Sequence, residues 1–300
     1  MSGVPDELTL LYRGSLISCN YGCDYCPFAK RRETRAEMRR DQREVERFVA
    51  WARGSARRLR ILFTPWGEGL VRPWYQQALA ELSRLEQVER VAIQTNLACG
   101  LGWTEGADRG ALALWATYHP TQVTRERFVA RCQELDRRGV RYSVGIVGLR
   151  EHLEDMEALR AELRPEVYLW VNAYKREPAY YGESELARIR AVDPLFDVNN
   201  LRHPSRGKAC RAGWSKLTVD GEGALRRCHF VKEPLGNLYA GDLERLLARR
   251  PCPNATCGCY IGYVHLDELE LYEVYGAGVL ERIPAEPLWQ RPRAPLPLAP

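Results

Sequence analysis

The chain has 300 residues, 45% hydrophobic and 28% charged, enough for a sizeable core in one large domain with an appendage or in two domains. Its net charge of +5 arises from 44 basic and 39 acidic residues interspersed along the chain, a solvated surface rather than a nucleic-acid footprint. The N-terminus lacks an apolar signal core and no eighteen-residue apolar run exists, so export and a membrane span are not expected, and ten cysteines imply metal use in a reducing cytoplasm rather than disulfides.

Leu8 to Tyr12 is a short apolar run and predicts the first strand. Directly after it comes Cys19-Asn20-Tyr21-Gly22-Cys23-Asp24-Tyr25-Cys26, three thiols at spacings of four and three. A disulfide framework wants even numbers in a secreted chain. A structural zinc site wants four ligands, usually as two separated pairs. Three thiolates holding an iron–sulfur cube leave the fourth iron free for a substrate or cofactor. Zinc remains the alternative. A loop directly after a strand also suits an α/β barrel, whose active sites sit at the carboxyl ends of its strands.

This CxxxCxΦC spacing, with Tyr25 as the aromatic residue, resembles that of the radical S-adenosylmethionine (SAM) enzymes. The resemblance implies that Cys19, Cys23 and Cys26 hold a [4Fe–4S] cluster. Its open iron would bind the amino and carboxylate groups of SAM. One electron would then break the sulfur–C5′ bond, and the 5′-deoxyadenosyl radical would remove a hydrogen atom from the substrate. The protein's part is to position that cofactor chemistry and exclude competitors.

Polar residues with apolar Met38, Val45, Phe48, Val49 and Ala52 predict a helix over 34–52, ended by Gly54-Ser55. Leu59 to Thr64 predicts the second strand, which runs into Pro65-Trp66-Gly67-Glu68-Gly69. The resemblance makes Gly67 and Glu68 part of a GGE-like motif that receives the SAM amino group, with Trp66 in place of the first glycine. A surface Glu in an ordinary turn is the alternative. Pro73 to Leu85 predicts a helix, Val88 to Thr95 the third strand, ending in polar Asn96, and residues 99–110 a glycine-rich loop. Ala111 to Thr117 predicts the fourth strand, leading to His119. That histidine would contact the SAM ribose or substrate, exchange a proton with a substrate radical, or serve only structure. Thr121 is expected to cap the next helix, which contains Cys132 as a packing residue.

Val140 to Val147 alternates into the fifth strand. Ile146, Gly148 and Glu151 resemble the GxIxGxxE motif that contacts adenine in radical SAM enzymes, with Val144 where the first glycine would stand. Arg150 is a candidate for the SAM carboxylate. A helix over 152–163, a strand over 167–173 and a helix over 183–191 complete six β/α repeats. Such alternation implies a parallel sheet. The resemblance implies a partial (β/α)6 TIM-like barrel over residues 1–200.

Residues 201–280 carry a second cysteine group. Lys216 to Val219 and Ala224 to Cys228 flank an Asp-Gly turn signal and predict a β-hairpin. The C-x12-G-x4-C spacing from Cys210 to Cys228 resembles the SPASM and shorter twitch domains of radical SAM enzymes. That implies an auxiliary [4Fe–4S] cluster held by Cys210, Cys228, Cys257 and Cys259, with Cys252 as the alternate ligand. A zinc ribbon is the alternative. Tyr260 to Tyr275 is expected to form a closing helix around His265. Residues 281–300 read as a Pro-rich tail.

The expected function is a radical SAM oxidoreductase that dehydrogenates or cross-links a small molecule, with the auxiliary cluster taking the remaining electron and a flavodoxin- or ferredoxin-like donor supplying the first. The start of strand one near residue 8 leaves no leader-binding domain and favours a small molecule over a ribosomally made peptide. A non-catalytic zinc or iron–sulfur module on nucleic acid is the alternative of another class.

Overall fold

The structure, a computed structural model, describes residues 5–29 and 31–288. Period-two alternation of apolar residues builds its main sheet. In β1 (Glu7–Arg13), Leu8, Leu10 and Tyr12 face an outer core and Leu11 the inner face. β2 (Arg58–Phe63) and β3 (Val88–Thr95) repeat the division: Leu59, Ile61 and Phe63 go outward and Leu62 inward, and Val91 and Ile93 outward with Ala92 inward. A one-residue slip would exchange the two faces, so the pattern fixes the register.

Helices cover the outer face. α1 (Arg35–Arg53) starts at a capping box: Thr34 Oγ1 accepts from Glu37 N at 3.2 Å and Glu37 Oε2 accepts from Thr34 N at 2.8 Å. It buries Val45, Phe48, Val49 and Ala52 against the sheet. Burying such large apolar side chains contributes about 1.5–3 kcal/mol each. α2 (Pro73–Ser83) begins with Pro at its first position, where a missing N–H costs nothing. β4 (Leu112–Tyr118), α3 (Arg125–Arg138), β5 (Arg141–Gly148), α4 (Leu153–Glu162), β6 (Leu169–Ala173) and α5 (Glu183–Val192) continue the alternation. The cap of α3 is Thr124, not the expected Thr121. The N–H groups of Gln122 and Val123 turn back onto the His119 carbonyl instead, delaying the helix by one turn.

β1 to β6 pair in parallel as consecutive neighbours. After α6 (Phe196–Asn200) and the short β7 (His203–Pro204) comes the expected hairpin, β8 (Lys216–Asp220) with β9 (Ala224–Arg226). The hairpin extends the same sheet: β8 lies parallel to β1, with Leu10 opposite Leu217. β10 (Pro234–Asn237) closes that edge, giving the order β10-β9-β8-β1-β2-β3-β4-β5-β6. The sheet is a curved, mostly parallel α/β layer whose two outermost strands are not joined.

The concave face is filled by small and large residues in alternation. Gly145 is forced to be glycine, because a Cβ there would lie 2.0 Å from the Trp170 ring. Trp170 meets Trp115 edge-on at 5.3 Å. α7 (Leu243–Leu246) and β11 (Thr256–Cys257), which pairs with β7, lead into α8 (Tyr260–Tyr263) and α9 (Leu271–Tyr275). The expected single helix over 260–275 is therefore two, separated by a 3-10 turn at Asp267–Leu269 and by Glu270 at φ 49°. Chain beyond α9 enters the concave face. The Arg282 guanidinium lies 3.7 Å from the Tyr260 ring centre and 4.4 Å from that of Trp170, and Ser143 Oγ donates to the Glu281 carbonyl at 2.5 Å. Glu281 and Arg282 are thus core residues; the tail from 289 to 300 lies outside the described residues.

Candidate active site

The cysteine loop follows β1 and is tied down by acids from α1 and the segment before it. Leu16 N donates to Asp41 Oδ1 at 2.9 Å, Ser15 N to Glu44 Oε2 at 3.1 Å and Ile17 N to Glu33 Oε1 at 3.0 Å. The loop after β2 then packs on it. Glu68 N donates to the Ser18 carbonyl at 3.1 Å, and a Cβ on residue 67 would meet that oxygen at 1.8 Å. Only glycine lets the two backbones approach this closely beside Cys19.

Cys19, Cys23 and Cys26 all line one cavity of about 220 Å³, together with Gly67, Glu68, Asn96 and His119. Asn96 Nδ2 reaches Cys19 Sγ at 3.8 Å and Asn20 Oδ1 at 3.0 Å. His119 Nδ1 lies 2.7 Å from the Tyr25 hydroxyl and 3.5 Å from Cys23 Sγ. Burial, followed by the charge of His152, lowers the His119 pKa to about 4, so the ring is neutral at pH 7. Burial pushes Tyr25 up, so it stays protonated and its hydroxyl is hydrogen-bonded to His119 Nδ1. Burial also raises the Cys19 thiol. A metal would supply the positive charge that such a buried thiol needs to ionise.

Glu68 is buried and raised by that burial. Its Oε1 accepts from Leu70 N at 2.9 Å and Thr95 Oγ1 at 2.8 Å, and its Oε2 from Asn96 N at 2.6 Å. A carboxylate has roughly four acceptor positions, so one remains for an ammonium entering the cavity.

The fifth-strand residues do not join this group. Ile146 is buried in the outer core. Gly148 lies under Tyr181, whose hydroxyl donates to the Gly148 carbonyl at 2.6 Å. Arg150 turns outward, stacks on Tyr180 at 4.5 Å and pairs with Glu185 at 3.3 Å, while Glu151 is exposed. None of the four lines the cysteine cavity. Ile146 and Gly148 belong to β5 itself, and in the 3-10 turn Arg150–His152 that follows it Arg150 and Glu151 are exposed while the His152 ring meets Tyr25 edge-on at 6.3 Å. Residues that sequence reading missed hold the cysteine loop from afar. Gln122 Oε1 accepts from Gly22 N at 2.8 Å, and Arg176 Nη2 donates to the Tyr25 carbonyl at 2.9 Å. Separations of 100 and 151 residues leave no local signal for either.

The second cysteine group also gathers. Burial pushes the Cys257 thiol up to about 12, helped by Cys228, Cys259, Cys252 and Cys210 in that order, so all five thiols share one neighbourhood. Cys210 and Cys228 are buried; Cys257 and Cys252 are half-buried. By accessible area Cys259 is exposed, whereas the density of protein around it is high. Area decides what can touch it, and surrounding density decides which charges it feels. Among the described residues no three Cys, His, Asp or Glu side chains close on the centre of a single ion. A cube spreads its ligated irons over separate corners, so its thiolates need not converge on one point. Three thiols on one cavity wall fit a three-thiolate cluster, and four of the five downstream thiols suffice for a second.

No family model matches the chain, and no curated protein matches it in sequence. Solved structures do. SuiB from Streptococcus suis bound to S-adenosylmethionine is 13% identical over 80% of this chain and 66% of that one, with a TM-score of 0.55. Native anSMEcpe with bound AdoMet is 14% identical over 80% of each chain, with a TM-score of 0.53. The chain thus spans just under two thirds of the length of SuiB. Identity this low carries the architecture alone, and the architecture is that of the radical SAM enzymes: this chain has their partial-barrel fold.

Proposed function

We propose that the protein is a radical SAM enzyme that removes a hydrogen atom from an organic substrate in a net oxidation. The observation that carries this reading is that Cys19, Cys23 and Cys26 open on one cavity with Glu68 and Asn96. A [4Fe–4S] cluster on those thiolates, when bound, supplies the electron that converts SAM to a 5′-deoxyadenosyl radical. Around it, Glu68 accepts the SAM ammonium and Asn96 orients the loop beside Cys19. Neutral His119 contacts the SAM ribose or substrate and moves a proton at the cavity wall. Tyr25 holds the His119 ring through its hydroxyl and lies against SAM. Cys210, Cys228, Cys257 and Cys259, with Cys252 in reserve, hold the auxiliary cluster, and a flavodoxin- or ferredoxin-like protein is the electron donor.

A small molecule is the first substrate reading. Peptide modification is the second, because related structures are SuiB with its precursor peptide SuiA and anSMEcpe with peptides. The test is anaerobic reconstitution with iron and sulfide, reduction, and SAM. The expected product is 5′-deoxyadenosine, absent in Cys23→Ala; transfer of deuterium from a candidate substrate into it identifies the substrate and position. No 5′-deoxyadenosine from any iron-loaded preparation, or a zinc-only protein, overturns the reading.

A further inference from the structure

A second and larger cavity, about 590 Å³, lies against the cysteine cavity, and Trp66 lines both. Its volume falls in the range of small-molecule sites. Most charges on its wall are already matched. Arg40 binds Glu44 and Glu222, each at 2.7 Å. Asp220 binds Arg226 at 3.3 Å and accepts the N–H groups of Glu222 and Ala224. Two cations on the wall, Arg13 and Lys232, have no carboxylate partner among the described residues.

Arg13 is the deeper of the two and is held in one orientation. Its Nε donates to the Thr64 carbonyl at 2.8 Å and approaches Thr64 Oγ1 at 3.3 Å. Its guanidinium plane stacks on Trp66 at 4.0 Å. Both Nη groups are left without a protein acceptor among the described residues, and neither is sealed from solvent. Burial is the first cause of a guanidinium pKa lowered to about 10, the sign of a cation short of negative charge. A planar fork with two free, pre-aimed donors is matched by a carboxylate. The exposed Lys232 stays solvated, so half-buried Arg13 is the cation that a ligand would match, and a single charge balances a monoanion better than a phosphate dianion.

We propose that this cavity is the substrate site and that Arg13 anchors a carboxylate of the substrate, with Trp66 as the plate that directs the rest of the molecule toward the cysteine cavity. The proposal rests on the reading that the cysteine cavity is where SAM reacts. A carboxylate at Arg13 then belongs to an amino-acid derivative, a small organic acid or a peptide terminus. The rival partner for the Arg13 charge is the auxiliary cluster, because Cys259 and Cys228 are its other electrostatic neighbours.

The experiment uses the reconstituted full chain and two matched probes, hippurate and its neutral amide, with affinities from calorimetry. Hippurate is expected to bind about tenfold or more tighter than the amide, the value of one charged hydrogen-bonded contact. Arg13→Met should erase that preference, and Arg13→Lys, which keeps charge but loses the fork, should keep only part of it. No binding of hippurate, equal affinity for both probes, or a preference surviving Arg13→Met overturns the proposal. If Arg13→Met instead moves only the auxiliary cluster's reduction potential, the rival holds and the proposal falls. Assaying 5′-deoxyadenosine formation in the same preparations keeps the two readings apart. Carboxylate preference without SAM cleavage refutes the radical reading and leaves the anion site standing as a site, whereas cleavage without preference refutes only the anion site.

Discussion

The Asp41 carboxylate accepts the backbone N–H of Leu16 at 2.9 Å, so the entry to the cysteine loop hangs on a side chain of α1. The same carboxylate accepts from Trp74 Nε1 at 2.8 Å and the Tyr75 hydroxyl at 3.1 Å. Burial outweighs these bonds and raises its pKa to about 6. Between its ordinary value near 4 and about 6, the folded chain binds a proton that the unfolded chain does not. Stability from this group therefore grows as pH falls through 6 toward 4 and is absent above 6. The gain is about 1–3 kcal/mol, and Asp41→Asn should remove it. Urea midpoints of both proteins across this pH window check it; parallel profiles would refute it.

Gly67→Ala tests the contact between the two loops. The added methyl would overlap the Ser18 carbonyl, which belongs to a backbone that cannot swing aside like a side chain. A loss of about 1–3 kcal/mol is expected, as for other overpacked sites. Displacement of Cys19 should also lower the yield of three-thiolate cluster. A variant with unchanged melting temperature and iron content would show that the loops are not locked.

Glu68 and Arg150 should behave oppositely despite both falling in familiar motifs. Glu68→Gln removes the acceptor charge inside the cavity and should weaken SAM binding about tenfold or more. Arg150→Ala breaks an exposed pair with Glu185, worth about 1 kcal/mol or less, and should leave SAM affinity within about twofold. Equilibrium binding to the iron-loaded protein decides; a large loss in Arg150→Ala would mean that the fifth-strand motif reaches SAM after all.

Cys23→Ala and Cys228→Ala should each remove one cluster and spare the other. Iron content should fall by about half in each, with the remaining visible absorbance differing between the two. Total loss of iron in either variant would mean one shared centre.

The six strand–helix repeats were legible because strands buried on both faces read as short apolar runs between polar helical stretches. The three-cysteine loop was legible from spacing alone. The outward turn of Arg150 was not, since a 3-10 turn changes direction without changing composition. Nor was the placement of Glu281 and Arg282 on the concave face of the sheet: two charged residues beside prolines read as surface, whereas the rings of Trp170 and Tyr260 take the Arg282 guanidinium and Arg90 and Arg141 face the Glu281 carboxylate. Gln122 and Arg176 act through backbone groups 100 and 151 residues away, a relation that no local pattern encodes.

β1 lies between β2 and β8, so it gains its second neighbour only after residue 220 has been made. Until then a nascent chain carries an open hydrogen-bonding edge beside its first three cysteines, a template for mispairing with other chains. Joining partners so distant in sequence is also slow. The strand that leads into the first cysteine loop is thereby completed only when the hairpin arrives.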